Sequence, residues 1–237
     1  MHERKLHDLA ELSLPLLKAA VPKVVVLPFG AMEPHGQHLP YGTDVFETAA
    51  IADRACQLAR ECGAQVVTLP TIPFGVQTSQ QTYPLAMNLN PSTLNQIIAD
   101  LTESLDNSGV EKAVLLNGHG GNEQPTWAAA VKLAEEDVWP LALTYWHMAD
   151  DELAAWSEAD DGSIGHGGEW ETSLQLHLRP QLVDMPRAVK DEWRLKFSPE
   201  IGKFAHFPER RREMAHGVMG DPLVASGEKG ARLFGVL

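Results

Sequence analysis

The chain alternates short, mainly apolar runs with longer amphipathic segments. The apolar runs span residues 23–27, 65–69, 112–116 and 141–145. Each has the length of a strand and lacks an alternation of polar and apolar positions, which is typical of strands buried on both faces of a sheet. The pattern therefore predicts four buried strands.

The amphipathic segments between these runs carry helix signals at their ends. Gly63 suits the position just after a helix, and Asn90 followed by Pro91 suits an N-cap and a first helical residue. Helices are predicted over residues 44–62, from Pro91 onward, from Asn122 or Thr126 onward, and over 168–178.

Strands that alternate with helices of this length imply βαβ crossovers, and hence an α/β fold with a mainly parallel sheet covered on both sides. The chain has no internal repeat and no convincing linker, so we expect one domain over residues 1–237. The polar stretch at 149–168 is expected to be a long loop over a site. In such folds a ligand lies beyond the carboxyl ends of the strands.

Composition narrows the classes of partner. The 237 residues carry a formal net charge of −13, which disfavours binding to nucleic acid or to an anionic membrane surface. No apolar run approaches the ~18 residues of a membrane span, and the N-terminal residues lack a signal-peptide pattern, so we expect a cytoplasmic location. Cys56 and Cys62 are expected to be buried as small apolar residues.

Potential ligand residues follow the first predicted strand. Glu33 and His35 are two residues apart, so in extended backbone both side chains point to the same side. His38 and Asp44 complete this group, although Asp44 could instead cap the following helix. Each of these residues alone could be structural, but their grouping favours a site.

Two glycine-flanked histidines lie in later motifs. His119 stands within Asn-Gly-His-Gly-Gly-Asn after the third strand, and His166 precedes Gly-Gly-Glu-Trp-Glu. Glu, His and Asp donors without thiolate describe a site for Zn²⁺, Mn²⁺ or Fe²⁺. Two adjacent ions would bridge a water and lower its pKa towards ~7, and a remaining histidine could serve as acid or base.

Four ordered motifs resemble the creatininase (creatinine amidohydrolase) family. They begin at Glu33, Asn117, His166 and Gly217, and the likeness extends over about residues 23–230. The resemblance implies a three-layer α/β/α fold, a homo-oligomer that could be a hexamer, and two divalent metal ions per chain. It also implies hydrolysis of a C–N bond in a small amide, cyclic amide or formamide.

The resemblance assigns roles to individual residues. Glu33 and His119 would hold one metal, His35 and Glu169 the other, and Asp44 would bridge them. In creatininase itself the last ligand is a Glu at the position of Gly121, and Glu169 takes that role here because an extra Glu stands in the third motif. The remaining expectations are His166 as proton donor, Glu171 as the residue that orients it, Trp146, Gly120 and Gly121 against substrate, and His38 behind the ligands. Trp146 could equally be a core aromatic.

The chain departs from many relatives over residues 75–87, where a glutamine-rich segment replaces an acidic residue, a histidine and a Pro-Gly-Thr turn. This change puts creatinine in doubt as the substrate. Two alternatives stay open: a family member that binds a metabolite or partner without hydrolysis, and a hydrolase that matures a peptide precursor.

Overall fold

The computed structural model describes residues 4–134, 138–159, 165–191 and 216–237. Its centre is a four-stranded parallel sheet in the order β2-β1-β3-β4. The strands are β1 (Val24–Phe29), β2 (Val66–Thr68), β3 (Lys112–Asn117) and β4 (Trp139–Thr144). Val26 of β1 pairs with Thr68 on one side and with Val114 on the other.

Helices cover both faces of this sheet, as the alternating pattern predicted. They are α1 (Leu14–Ala19), α2 (Thr43–Glu61), α3 (Pro91–Asp106), α4 (Glu123–Leu133), α5 (Asp150–Trp156), α6 (Glu169–Leu178) and α7 (Gly227–Phe234). Short 3₁₀ turns at Thr78–Gln80, Gly120–Asn122 and Tyr145–Ala149 follow the strands.

The alternation of side chains along β1 divides the core into two apolar layers. Val25 and Leu27 face one layer with Leu94 and Ile98 of α3. Val26 faces the other layer, which α2, α5, α6 and α7 complete. Helix layers on both sides of one sheet make the fold a three-layer α/β/α sandwich.

The predicted strands and the main helices are confirmed, with shifts of a few residues at their ends. Burial on both faces is wrong for β4, where Trp139 is 66% and Leu141 48% exposed. Trp139 and Leu141 are two residues apart and so point to the same face of β4, which the described residues leave uncovered at this end of the strand. The other edge strand, β2, is buried along its whole length.

Two smaller expectations also need correction. Cys56 is buried, but Cys62 is exposed because it follows the last turn of α2, where the helix end faces solvent. The stretch 149–168 is not loop throughout, since it contains α5, and residues 160–164 lie outside the described residues.

The carboxyl ends of three neighbouring strands meet at one edge of the sheet. The segments that leave β1, β3 and β4 there carry Glu33, His119 and Tyr145. Within the described parts of the chain, no helix is long and apolar enough to cross a membrane.

Candidate metal centre

Six side chains form a cluster at this edge, and their polar atoms face one another. They fall into three overlapping groups, each with potential ligand atoms within 4.8 Å of one another. The groups are Glu33, Asp44 and His119; His35, Asp44 and Glu171; and Glu33, His35 and His166. Glu33, His35 and Asp44 each belong to two groups, and Asp44 is the carboxylate that the first two groups share.

The two carboxylate oxygens of Asp44 face different histidines. Its Oδ2 lies 2.9 Å from Nδ1 of His119, and its Oδ1 lies 2.7 Å from Nε2 of His35. Oε1 of Glu33 lies 3.2 Å from the same His119 nitrogen. On the other side, Oε2 of Glu171 lies 3.7 Å from Nε2 of His35. A carboxylate with one oxygen towards each group can bridge two cations.

Each histidine turns its second ring nitrogen away from the cluster, towards a backbone carbonyl. His35 Nδ1 lies 3.1 Å from Glu33 O, His119 Nε2 lies 3.0 Å from Val76 O, and His166 Nε2 lies 2.7 Å from Pro34 O. A carbonyl only accepts, so these nitrogens carry protons and donate them. Metal-binding histidines are normally oriented by such a bond, which leaves the inward nitrogen available.

Burial and mutual attraction oppose each other in this cluster. Burial disfavours charge on Glu33, but His119 and His166 outweigh it and lower the pKa of Glu33. Burial likewise disfavours a charged His35, yet Asp44 and Glu171 raise its pKa to about 10. The pKa of His119 is raised well above its usual value, because Glu33 and Asp44 outweigh its burial. Protons on His35 and His119 thus balance the carboxylates.

The donor set fits divalent cations. Glu33 Oε2, Asp44 Oδ2 and His35 Nε2 are buried and have no hydrogen bond of good geometry among the described residues. Buried polar atoms in that state are unfavourable unless something binds them. A pair of divalent ions would satisfy these atoms and replace the histidine protons as the balancing positive charge.

The local fold explains why Asp44 is in the cluster. The N-cap of α2 is Gly42, and Asp44 is the second residue of the helix. Its side chain contacts His35 and His119, so it does not cap α2.

The structure does not bring Glu169 to the cluster. Its carboxylate is fully buried elsewhere, where it accepts from Lys229 Nζ at 2.5 Å, Ser157 Oγ at 2.7 Å and the backbone N–H of Glu158 at 3.1 Å. Burial opposes ionisation of Glu169, but these donors lower its pKa. Glu171 stands in the cluster instead, and the backbone N–H of Gly167 donates to its Oε2.

Gly121 has a packing role that its sequence motif did not reveal. A Cβ at this position would lie 1.7 Å from Val76 O, the carbonyl that accepts from His119. The absence of a side chain at 121 therefore lets the 75–80 segment approach and orient His119. Gly120 has open space around its Cβ position.

A cavity of about 450 Å³ opens on the cluster. Its wall includes Trp146, Gly120 and Gly121, three residues that the sequence placed against substrate, and also His166. Thr78, Ser79 and Gln80, from the 75–87 segment that departs from many relatives, also line this cavity.

His38 lies behind the cluster. Its Nε2 is 2.9 Å from Thr172 Oγ1, the residue after Glu171 on α6. Burial, together with the charge of His35, lowers the pKa of His38 to about 4. A neutral His38 thus links the 33–38 segment to the helix that carries Glu171.

Sequence reasoning missed a second buried group behind Asp44. Tyr145 Oη donates to Glu47 Oε2 at 2.6 Å, and Gln175 Nε2 donates to Oε1 of the same carboxyl at 3.1 Å. Burial and the nearby Glu171 raise the pKa of Glu47 well above its usual value. The available signal was its spacing, because Glu47 lies three residues after Asp44 and so on the same side of α2.

The family model and the related sequences both point to creatinine amidohydrolases. A family model described as creatinine amidohydrolase (creatininase) matches residues 10–237. The chain is 31% identical over 224 residues to creatinine amidohydrolase of Pseudomonas putida, covering 87% of this chain and 82% of that protein. It is 27% identical over 228 residues to a mycofactocin precursor peptide peptidase of Mycolicibacterium smegmatis, covering 92% and 82%.

Solved structures indicate the same relationship as the sequence comparisons. The crystal structure of a putative creatinine amidohydrolase from Bacteroides fragilis superposes with a TM-score of 0.84 at 29% identity, over 99% of this chain and 92% of that one. A creatininase crystal structure gives a TM-score of 0.79 at 30% identity, over 97% and 93%.

Proposed function

The chain belongs to the creatininase family of amidohydrolases, and we propose that it hydrolyses a C–N bond of a small amide, cyclic amide or formamide at two divalent metal ions. The observation that carries this proposal is the shared position of Asp44, with one carboxylate oxygen towards each of two donor groups. A single-ion site would need no carboxylate between two sets of donors.

We assign the ligands from the contacts. Glu33, Asp44 and His119 would hold one ion, and His35, Asp44 and Glu171 would hold the other. Glu171 thus replaces Glu169 in the scheme that the family resemblance implied. Solved creatininases include a Zn–Zn form and a Mn form, which supports a divalent ion of this kind here. Such ions act as Lewis acids and make water a nucleophile near neutral pH.

The protein's own groups position the reaction. His166 lies in the cavity wall with Nε2–H fixed on Pro34 O and Nδ1 3.3 Å from Glu33 Oε1. In this orientation Nδ1 can hold a proton taken from the attacking water and return it to the leaving nitrogen. Trp146 forms an apolar part of the cavity wall beside the cluster.

The test combines metal analysis with activity. Purified protein reconstituted with Zn²⁺ or Mn²⁺ should hold about two ions per chain, and His166→Ala should retain both while losing turnover of whichever amide the wild type hydrolyses. The matched control is His147→Ala, since His147 is 56% exposed and pairs with Glu123 and Asp150 at the surface. One ion per chain, or full activity in His166→Ala, would contradict the mechanism.

Peptide maturation is a second candidate, because relatives at 27% identity are mycofactocin precursor peptide peptidases. It predicts release of terminal residues from a short peptide and no turnover of lactams or formamides. A panel that contains both substrate classes separates the two candidates.

A further inference from the structure

Gln80 is a buried polar residue in the wall of the cavity. It is 2% exposed and ends the 3₁₀ turn Thr78–Gln80, within the segment that departs from many relatives. Its side-chain amide lies 3.2 Å from Nε2 of His166. A polar side chain therefore contacts the proposed acid–base residue from the most distinctive part of the chain.

The contacts of His166 determine which end of the Gln80 amide faces it. His166 Nε2 donates to Pro34 O at 2.7 Å, so this nitrogen carries a proton. A protonated ring nitrogen cannot accept, and the Gln80 amide must therefore present its oxygen to His166. In the structure the amide nitrogen is the atom near His166, and Oε1 at the other end is buried with no hydrogen-bond partner among the described residues. With the amide turned so that its oxygen faces His166, the NH₂ group takes that unpartnered position.

The segment that carries Gln80 is held in place by side chains on either side. Asn122 Oδ1 accepts from Val76 N at 2.8 Å, and Asn88 Oδ1 accepts from Gln77 N at 2.9 Å. Gln80 is thus presented to the cavity by an anchored segment, which favours a defined role in recognition over a passive one.

The charges around the cavity indicate an uncharged ligand. Among the described residues that line it, the ionisable groups are acids and histidines, with no Lys or Arg. Two divalent ions would carry +4 against a formal −4 from the four carboxylates of this lining, those of Glu33, Asp44, Glu123 and Glu171. Neither a net positive charge nor a cationic side chain of the lining is then left for a carboxylate or phosphate of a substrate.

We propose that Gln80 is a specificity-determining residue, which donates from its side-chain NH₂ to the carbonyl oxygen of an uncharged amide bound beside His166. This inference rests on the proposed amidohydrolase function, and it adds the residue that recognises the amide. A site built to pair with a substrate group rejects analogues that lack the group, because the buried partner is then left unpaired.

The experiment uses the metal-loaded protein and the neutral lactam 2-pyrrolidinone as the probe. Binding is measured by titration calorimetry for the wild type, Gln80→Met, Gln80→Glu and the control Gln124→Met, whose parent residue is exposed on α4 outside this cavity. Gln80→Met removes both ends of the amide at similar length, and Gln80→Glu removes only the donor. Metal content and melting temperature are measured for each variant.

Both Gln80 variants should bind the lactam at least about tenfold more weakly, the cost of one lost hydrogen bond in a binding equilibrium, while Gln124→Met should match the wild type. Two ions per chain should remain in all four proteins. Binding by either Gln80 variant at wild-type strength, or no binding by the wild type, overturns the inference.

Activity on a panel of lactams, formamides and linear amides separates this inference from the proposed function. If the wild type turns over an amide, the Gln80 variants should raise KM more than they lower kcat. Turnover with unchanged KM in the variants would refute the role of Gln80 alone. No turnover by the wild type, with lactam binding that still depends on Gln80, would refute the hydrolase and leave the recognition site.

Discussion

The proposal that Glu171, and not Glu169, is a metal ligand can be tested with two matched variants. Glu169→Gln and Glu171→Gln change the same chemical group on the same turn of α6, two residues apart. We expect Glu171→Gln to bind one ion per chain in place of two, because His35 and Asp44 alone remain in its group. Glu169→Gln should keep both ions.

The stability of the metal-free protein should show the reverse order: Glu169→Gln should be destabilised and Glu171→Gln should not. Glu169→Gln removes the charge that Lys229 pairs with at 2.5 Å, although Lys229 keeps Val224 O at 2.7 Å and Glu158 at 3.3 Å. A hydrogen bond to a charged group is worth about 1.5–3 kcal/mol. In a chain of this size each kcal/mol moves the melting temperature by about 2–4 °C, so a loss of about 3–12 °C is expected.

Glu171→Gln should not destabilise the metal-free protein. Burial raises the pKa of Glu171, which means that its charged form is unfavourable in the fold. A neutral amide of the same shape avoids that cost and can still accept from the N–H of Gly167. The metal-free melting temperature should therefore stay the same or rise.

The assays are elemental analysis after reconstitution and calorimetric melting of metal-free protein. The reasoning is refuted if Glu169→Gln loses an ion at unchanged stability while Glu171→Gln keeps two. Partial loss of metal in both variants would also contradict it, since Lys229 and Ser157 saturate the Glu169 carboxylate.

Two further predictions concern the metal-free protein and the anchored 75–80 segment. The pKa of His35 is raised from 6.5 to about 10, so the stabilising contribution of its protonated form is complete below pH 6.5 and is lost as pH rises through 10. The melting temperature of the metal-free protein should therefore fall over this pH range. A flat or rising profile would contradict the pairing of His35 with Asp44. Asn122→Ala leaves the N–H of Val76 and the carbonyl of Gly30 unpaired in the interior. At about 1–3 kcal/mol for each group it should lower unfolding free energy by about 2–6 kcal/mol in denaturant titrations, whereas the exposed Asn107→Ala should have little effect.

The sheet and the position of the cluster could be predicted from sequence because both depend on local patterns. Continuous apolar runs predicted β1 and β3 as buried strands, and Glu33, His35 and His119 come soon after those strands. Parallel strands bring such residues to one edge whatever the details of packing. The edge position of β4 could not be predicted, since its apolar run resembles that of a central strand.

The sequence could not predict which of Glu169 and Glu171 faces the cluster, and the reason is geometric. Residues two apart on a helix differ by about 200° around its axis, so they point to opposite sides. Both are acidic, and both begin α6. Only the packing of α6 between α2 and α7 decides which one faces Asp44 and which one faces Lys229.

The hydrogen bonds of the 75–80 segment could not be predicted from the sequence either. Val76 contributes a backbone carbonyl to His119, and a carbonyl leaves no residue-type signal. Gln80 was noted only as part of a departure from relatives. Its contact with His166 depends on a fold that brings residues 86 positions apart together.

Because Gly121 packs against Val76 O, a carboxylate introduced at position 121 should not replace Glu171 as a metal ligand. The family resemblance implies a Glu ligand at position 121 in creatininase itself, but here a Cβ at that position would lie 1.7 Å from Val76 O. In Glu171→Gln, a second change of Gly121→Glu would have to displace the carbonyl that orients His119. We therefore expect the double variant to bind no more metal than Glu171→Gln alone and to melt at a lower temperature. Recovery of two ions per chain would contradict this expectation. It would show that the 75–80 segment can move to admit a side chain at position 121, so that Gly121 does not determine which residue supplies the last carboxylate ligand.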